Sequence, residues 1–390
     1  MKNIYFLLIT TFSFAQSVTK TMNLLPDTGQ NTSYTATFGQ DNDYNINIPL
    51  FTNNANGTIT DNVTNLMWQQ VDGGEMTHPN AITYANNLVL GGYSDWRLPT
   101  PRESFSILNL QNSNPALNTT YFTNTNAGYW WTNTFELNST TRVWVTNAGG
   151  GIGNKPISET ISAGGTFKYH ARAVRDIVTP TVIANHFTDN NNGTITDNLT
   201  QLTWQKVPNA NLLTWENAIG YAEGLSFANA TDWRLPNIKE LQSLNDESLI
   251  NPSVNQTFFG AIGIKNYWSS TTLPNQVTSS WYWNTAFGIT TYTPKTNTNY
   301  VICVKGNPVI LAVNKFDFKP KLKVFPNPFS SRINIENATG NEVYRLYNEV
   351  GQELFSGRNI EKQDFLDLIK GIYFLEINGE TAFKIKLIKQ

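Results

Sequence analysis

The sequence is short of cysteine, of charge and of histidine, and each shortage closes a route. A single cysteine, Cys303, stands in 390 residues. That count excludes an internal disulfide framework, a cysteine-based zinc site and any chemistry needing a thiol pair, so stability must come from packing. Charged residues make up 14% of the chain, against an average of about 25%. The formal net charge of −2 leaves no basic field to draw nucleic acid or an anionic membrane. The three histidines, His78, His170 and His186, lie far apart and show no metal-ligand spacing. No Gly-x-Ser-x-Gly, His-Glu-x-x-His or phosphate-loop pattern occurs. No run is long and apolar enough to span a bilayer, which takes about 20 residues.

The first apolar stretch is Ile4 to Phe14, behind Lys2 and ahead of Ala15. A positive residue, a short apolar run and a small residue read as a signal peptide over 1–15, removed on export. No cysteine follows it to take a lipid. The remaining chain is rich in Asn, Thr and aromatic residues, with 11 tryptophans, so it has the material for real cores beneath polar, uncharged surfaces.

Beyond a lead-in segment at 16–50, a tandem repeat organises the chain. Asn56-Gly57-Thr58-Ile59-Thr60-Asp61-Asn62 recurs as Asn192-Gly193-Thr194-Ile195-Thr196-Asp197-Asn198. Leu66 and Trp68-Gln69 match Leu202 and Trp204-Gln205, and Asp95-Trp96-Arg97-Leu98-Pro99 matches Asp232-Trp233-Arg234-Leu235-Pro236. Tyr129-Trp130 is paired with Tyr267-Trp268, and Ala173-Val174-Arg175 with Cys303-Val304-Lys305. The order fixes two modules, 51–176 and 187–306, each long enough to fold alone.

Within each module, Asn-Gly predicts a type I′ hairpin. Thr77 and Thr214 are placed to cap a first helix, with apolar stripes at Ala81, Ile82, Ala85, Leu88 and at Trp215, Ala218, Ile219, Ala222. Thr100-Pro101-Arg102-Glu103, and Asn237 with Glu240, have the capping-box pattern of a second helix. The rest is strand-like, so the expected class is α+β. After a linker at 307–322, turns and apolar alternation restart over 323–390 as a small all-β sandwich.

The ordered blocks closely resemble the DUF1566 family, also named for the C-terminal domain of the Legionella collagen-like adhesin. More distantly, the Trp-Arg-Leu-Pro block and the closing strand resemble the C-type-lectin-like fold shared with formylglycine-generating enzymes. The resemblance implies two tandem lectin-like modules. Val324-Phe325-Pro326-Asn327-Pro328, Tyr347-Asn348-Glu349-Val350-Gly351 and the basic end Phe383 to Lys389 resemble a type A sorting domain of the type IX secretion system of Bacteroidetes. That implies recognition by the export machinery and a secreted or cell-surface product, across the outer membrane.

Trp96, Arg97, Trp233 and Arg234 fit an internal brace better than a displayed site, the guanidinium satisfied by carbonyls or by Asp95 and Asp232. Asp189, Asn191 and Asp197 resemble an oxygen-rich calcium loop, although hairpin turn chemistry explains the same residues. Cys303 lies in an apolar strand pattern and reads as a buried small hydrophobe. With no catalytic constellation, binding is the better-supported class. Trp131, Trp144, Trp281 and Trp283 are the candidate aromatic faces for a glycan or a matrix ligand, and strand alternation puts Trp281 and Trp283 on one face. The function expected is a non-enzymatic adhesin or carbohydrate-binding protein, needing no cofactor unless calcium. The alternatives are a structural or protein-interaction role in the envelope and a polysaccharide hydrolase.

Overall fold

The computed structural model describes residues 17–306 and 323–390, apart from residues 45, 124–125, 163, 167, 337, 339, 341, 350 and 379–381. The expected signal peptide and linker lie outside the described residues. About 34% of the chain is strand and 12% helix. Two units separate, Met1–Val309 and Ile310–Gln390.

Ahead of the first copy, β1 (Val18–Lys20) opens the lead-in. The first copy then runs β2 (Phe51–Asn53), β3 (Thr58–Asp61), β4 (Leu66–Gln69), α1 (His78–Asn86), α2 (Pro101–Ser106), β5 (Ala127–Phe135), β6 (Arg142–Asn147), β7 (Ile152–Pro156), β8 (Lys168–His170) and β9 (Val174–Asp176). A connecting strand β10 (Thr181–Ile183) pairs back onto β1. The second copy repeats the plan with β11 (Phe187–Asp189), β12 (Thr194–Asp197), β13 (Thr203–Gln205), α3 (Trp215–Glu223), α4 (Ile238–Ser243), a one-turn α5 (Gln256–Phe259), β14 (Asn266–Thr272), β15 (Ser279–Asn284), β16 (Ile289–Pro294) and β17 (Val304–Lys305).

The meander sheets have matching orders, β2-β3-β4-β9 and β11-β12-β13-β17. Their hairpins are longer than the two-residue turn expected. Asn54 N–H donates to Thr58 O, and positive φ falls on Ala55 and Gly57 rather than on Asn56. The Asn56 side chain instead accepts from the Thr58 amide and hydroxyl, a local bond that offers the backbone a wider turn. The second sheets are β7-β6-β5-β8 and β14-β15-β16.

Both capping boxes form, Thr100 with Glu103 and Asn237 with Glu240. The first helices bury Ala81 and Ala85, and Trp215, Ala218, Ile219 and Ala222. Ile82 is an exception to the expected stripe and faces solvent.

Hydrogen bonds correct the alignment of the copies by one residue. Asn133 N–H reaches Pro99 O and Ser270 N–H reaches Pro236 O. Trp131 and Trp268 donate their indole N–H to Met76 O and Leu213 O, each at 2.8 Å. Trp130-Trp131 is therefore equivalent to Tyr267-Trp268.

The copies do not pack as separate beads. One apolar core contains Trp68, Phe105, Leu110, Trp130 and Trp144 from the first and Trp204, Leu241, Tyr267, Trp281 and Trp283 from the second. Smaller clusters lie under each copy's own helix, around Trp96 and Trp131 in one and Trp215 and Trp233 in the other. Every residue of α4 is buried. A short helix at a domain surface would keep one face wet; here the other copy covers that face.

The C-terminal unit contains β18 (Lys323–Phe325), β19 (Asn334–Glu336), β20 (Val343–Asn348), β21 (Glu353–Gly357), β22 (Gly371–Asn378) and β23 (Ala382–Lys389). A β18-β19 pair and a β21-β20-β22-β23 sheet enclose a core of their own, with Phe329, Leu346, Tyr373, Leu375 and Leu387.

Candidate functional site

The seam between the copies is built by exchange. Arg102, in α2, donates from Nη2 to Ser243 O at the end of α4 (3.0 Å), and Lys239, in α4, donates from Nζ to Ser106 O at the end of α2 (2.7 Å). Each cation thus meets the carbonyl end of the other copy's helix, where the partial charge is negative. The lead-in is laid into the same seam. Asp27 O accepts from Lys239, Gln30 Nε2 donates to both Leu110 O and Thr272 O, and Asp41 accepts from the Thr28 and Thr271 hydroxyls. Burial lifts the Asp41 carboxyl well above the ordinary carboxylate range and raises Asp27, and it lowers the Lys239 ammonium to about 8. These groups are closed to solvent and act as a lock.

A cleft of about 370 Å³ opens along the seam, with Tyr129, Asn147 and Gly151 from the first copy and Gln276, Trp281 and Tyr292 from the second. The β6–β7 turn packs closely beside it. Gly150 sits at φ +104°, and a Cβ there would lie 2.6 Å from Leu110 Cδ2 and 3.3 Å from the Trp281 ring. Asn147 Oδ1 holds the turn by accepting from Gly149 and Gly151. Ile152 N–H donates to Thr290 Oγ1 at 3.0 Å, stitching β7 to β16. Trp281 meets Tyr292 edge to face at 5.7 Å. Tyr292 is 48% exposed, whereas Trp281 is 3% exposed. Amide, hydroxyl and aromatic groups line the cleft, with no charged side chain among them.

The four candidate tryptophans are corrected by burial: Trp131, Trp144, Trp281 and Trp283 are all core residues. The physical reason is that both faces of the second sheet are covered. Trp130 enters the core shared by the copies and Trp131 the core under α1, so alternation sends neither into solvent. Trp281 alone of the four reaches the cleft, as part of its wall. Trp96 and Trp233 are buried, their indole N–H groups bound to Tyr93 O and Phe227 O.

Arg97 Nη1 reaches the Leu98 carbonyl at 3.3 Å, as expected, but the acidic partners of the two arginines are not Asp95 and Asp232. Arg97 makes a two-pronged pair with Glu103 at 2.7 and 2.9 Å and a further contact to Asp176, and Arg234 pairs with Glu240 at 2.6 Å through both prongs. The helix-capping glutamates thus take the guanidinium as well. Asp95 binds Arg175 instead, and Asp232 lies 3.9 Å from Lys305. Burial opposes charge on Glu103, but the Arg97 guanidinium outweighs it and holds the carboxyl below its ordinary value.

The three calcium candidates take part in turn chemistry. Asp189 takes the Lys206 ammonium at 2.6 Å and the Asn191 amide, while Asp197 is buried and accepts from Leu199 N–H and the Thr200 hydroxyl. Among the described residues no group of three or more His, Cys, Asp or Glu is placed to hold a metal ion. Cys303 is buried, and burial pushes its thiol pKa up. Sequence reasoning missed Asn147 and Tyr292, since no local motif marks a cleft made by two distant copies.

Residues 57–175 and 193–305 each match the Lcl C-terminal domain family, and residues 323–390 match the secretion system C-terminal sorting domain. No curated protein matches the chain. Among solved structures it is similar to PorZ, an essential bacterial surface component of the type-IX secretion system of Porphyromonas gingivalis. That likeness is at 12% identity over 64% of this chain and 29% of the PorZ chain, with a TM-score of 0.16. An overlay that loose says nothing about fold or role. No described helix is long and apolar enough to cross a membrane. The chain belongs to the Lcl C-terminal domain family, carries that domain twice, and ends in a type IX sorting domain that directs it through the export machinery to the cell surface or beyond.

Proposed function

We propose that this exported chain is a non-enzymatic, lectin-like binding protein that holds neutral glycans in the cleft along the seam of its two copies. The uncharged lining carries the reading. Tyr292 offers a ring to solvent, backed edge-on by Trp281, with Asn147, Gln276 and Thr291 around it. Such a site suits a ligand with hydroxyls on its rim and C–H surface on its faces, and gives little hold on a sulfated or nucleic-acid chain. A hydrolase would need carboxylates beside the scissile bond, and no Asp or Glu lines the cleft. The strand-rich copies with short helices suit a C-type-lectin-like arrangement, and display outside the cell suits an adhesin role.

The test is a glycan array on the secreted protein, followed by titration of the best neutral ligand. Tyr292→Ala should weaken binding at least tenfold, about 1.4 kcal/mol, with an unchanged melting temperature. Absence of glycan binding, or full affinity in Tyr292→Ala, would overturn the reading. Capture of a protein ligand on the same face would favour the envelope-interaction role.

A further inference from the structure

The copies part company at one pair of equivalent positions. Met76 and Leu213, the acceptors of the two equivalent indoles, bond through their own amides to Tyr169 O and Asn299 O. Tyr169 therefore stands where Asn299 stands. In the first copy the Tyr169 ring fills the space, stacked on Tyr129 at 4.9 Å and on Trp131 at 4.8 Å, and its hydroxyl donates to Glu159. In the second copy the ring is absent, and two hollows of about 500 and 390 Å³ adjoin there, sharing Asn266, Thr298 and Asn299.

Asn299 is 6% exposed, and its side-chain Nδ2 has no hydrogen-bond partner. A buried donor left unmet is costly, and native proteins retain few of them. Beside it the lining is mixed: Ile264, Leu212 and Ala286 are apolar, Lys265 and Tyr300 are polar, and Asn284 Nδ2 donates to Asn266 Oδ1. A carbonyl acceptor with a methyl group attached answers the unmet donor and the apolar part of the lining.

We propose that this groove is a second glycan site, restricted to the second copy, that takes the acetamido group of an N-acetylhexosamine. The carbonyl oxygen accepts from Asn299 Nδ2 and the methyl group packs on Ile264 and Leu212. The proposal rests on the glycan-binding reading but places the acetamido group away from the seam cleft, so the two sites can be read separately.

The full secreted chain is titrated with the tetramer of β-1,4-linked N-acetylglucosamine and with cellotetraose, which differ only in acetamido against hydroxyl at C2. The expected result is at least tenfold tighter binding of the acetylated tetramer. Asn299→Tyr, which installs the first copy's residue, and Asn299→Leu, which removes the donor at similar volume, should each abolish that preference. Tyr292→Ala should leave it in place. Equal affinity for the two tetramers, or a preference that survives a folded Asn299 variant, overturns the proposal. If the preference depends on Asn299 while Tyr292→Ala changes no glycan affinity, the groove stands and the seam reading falls.

Discussion

Replacing Glu240 by Gln should destabilise the tandem unit far more than the equivalent change at Glu103. Both carboxylates cap a helix and grip an arginine, but the arginines sit in different surroundings. The Arg234 side chain is 5% exposed with Glu240 as its acid, whereas the Arg97 side chain is 27% exposed and also holds Asp176 at 2.9 Å. In the second copy the position of Asp176 is occupied by Gly306, so no second acid hydrogen-bonds the guanidinium, and Asp41 acts on Arg234 only at a distance. Glu240→Gln strands a buried guanidinium, a loss of about 3–5 kcal/mol. Glu103→Gln leaves Arg97 with Asp176 and water, a loss of about 1.5–3 kcal/mol on the scale of one charge-assisted hydrogen bond. For a unit of this size the first loss lowers the melting temperature by roughly 6–20 °C. Scanning calorimetry on the two single variants measures the contrast directly. The double change Arg234→Met with Glu240→Leu should recover most of the loss, because an apolar pair of similar volume replaces the ion pair without a stranded charge. Equal losses at Glu103 and Glu240, or a double variant as weak as Glu240→Gln, would refute the reasoning.

Asp41→Asn tests the lock. A carboxyl whose folded pKa is raised keeps its proton in the folded state above the unfolded value of about 3.9, so its contribution to stability is lost as pH rises through the folded pKa. The melting temperature of the variant relative to wild type should therefore climb between pH 4.5 and 7.5, and a constant difference would refute the assignment. Deleting 323–390 should leave the melting transition of the tandem unit nearly unchanged, since the C-terminal core draws on its own residues. In the native host the truncated chain should accumulate in the periplasm, and normal extracellular levels would refute the sorting role.

The features legible in the sequence were those written within a few residues. Asn237 and Glu240 announce their capping box by spacing, and repeated blocks announce two copies. What stayed hidden depended on residues far apart. Apolar positions in β6 and β15 show that something covers them, yet nothing in Trp144 or Trp281 says that the cover is the other copy. The arginine partners were misread because Asp95 is adjacent in sequence while Glu103 is adjacent in space. The one-residue misalignment at Tyr129 had the same origin: matching letters favoured Tyr-Trp over Tyr-Trp, and only the hydrogen bonds of Trp131 and Trp268 decide the register. The equivalence of Tyr169 and Asn299 follows at the offset of the matched Ala173 and Cys303, but the letters alone do not say that one side chain fills a space that the other leaves open.

The exchange of Arg102 and Lys239 has the pattern of an isologous contact, in which residue i of one protomer meets residue j of its mate and the reverse. The tandem is in effect a homodimer written into one polypeptide. Fusing it has two consequences. Its association no longer depends on protein concentration, a decisive property for a molecule sent to the cell surface or beyond. Fusion also lifts the constraint that every mutation appear twice. A true homodimer must keep either tyrosine or asparagine at both equivalent positions, whereas this chain keeps Tyr169 as packing in one half and Asn299 as an open donor in the other, so one gene duplication frees half of a symmetric scaffold to specialise.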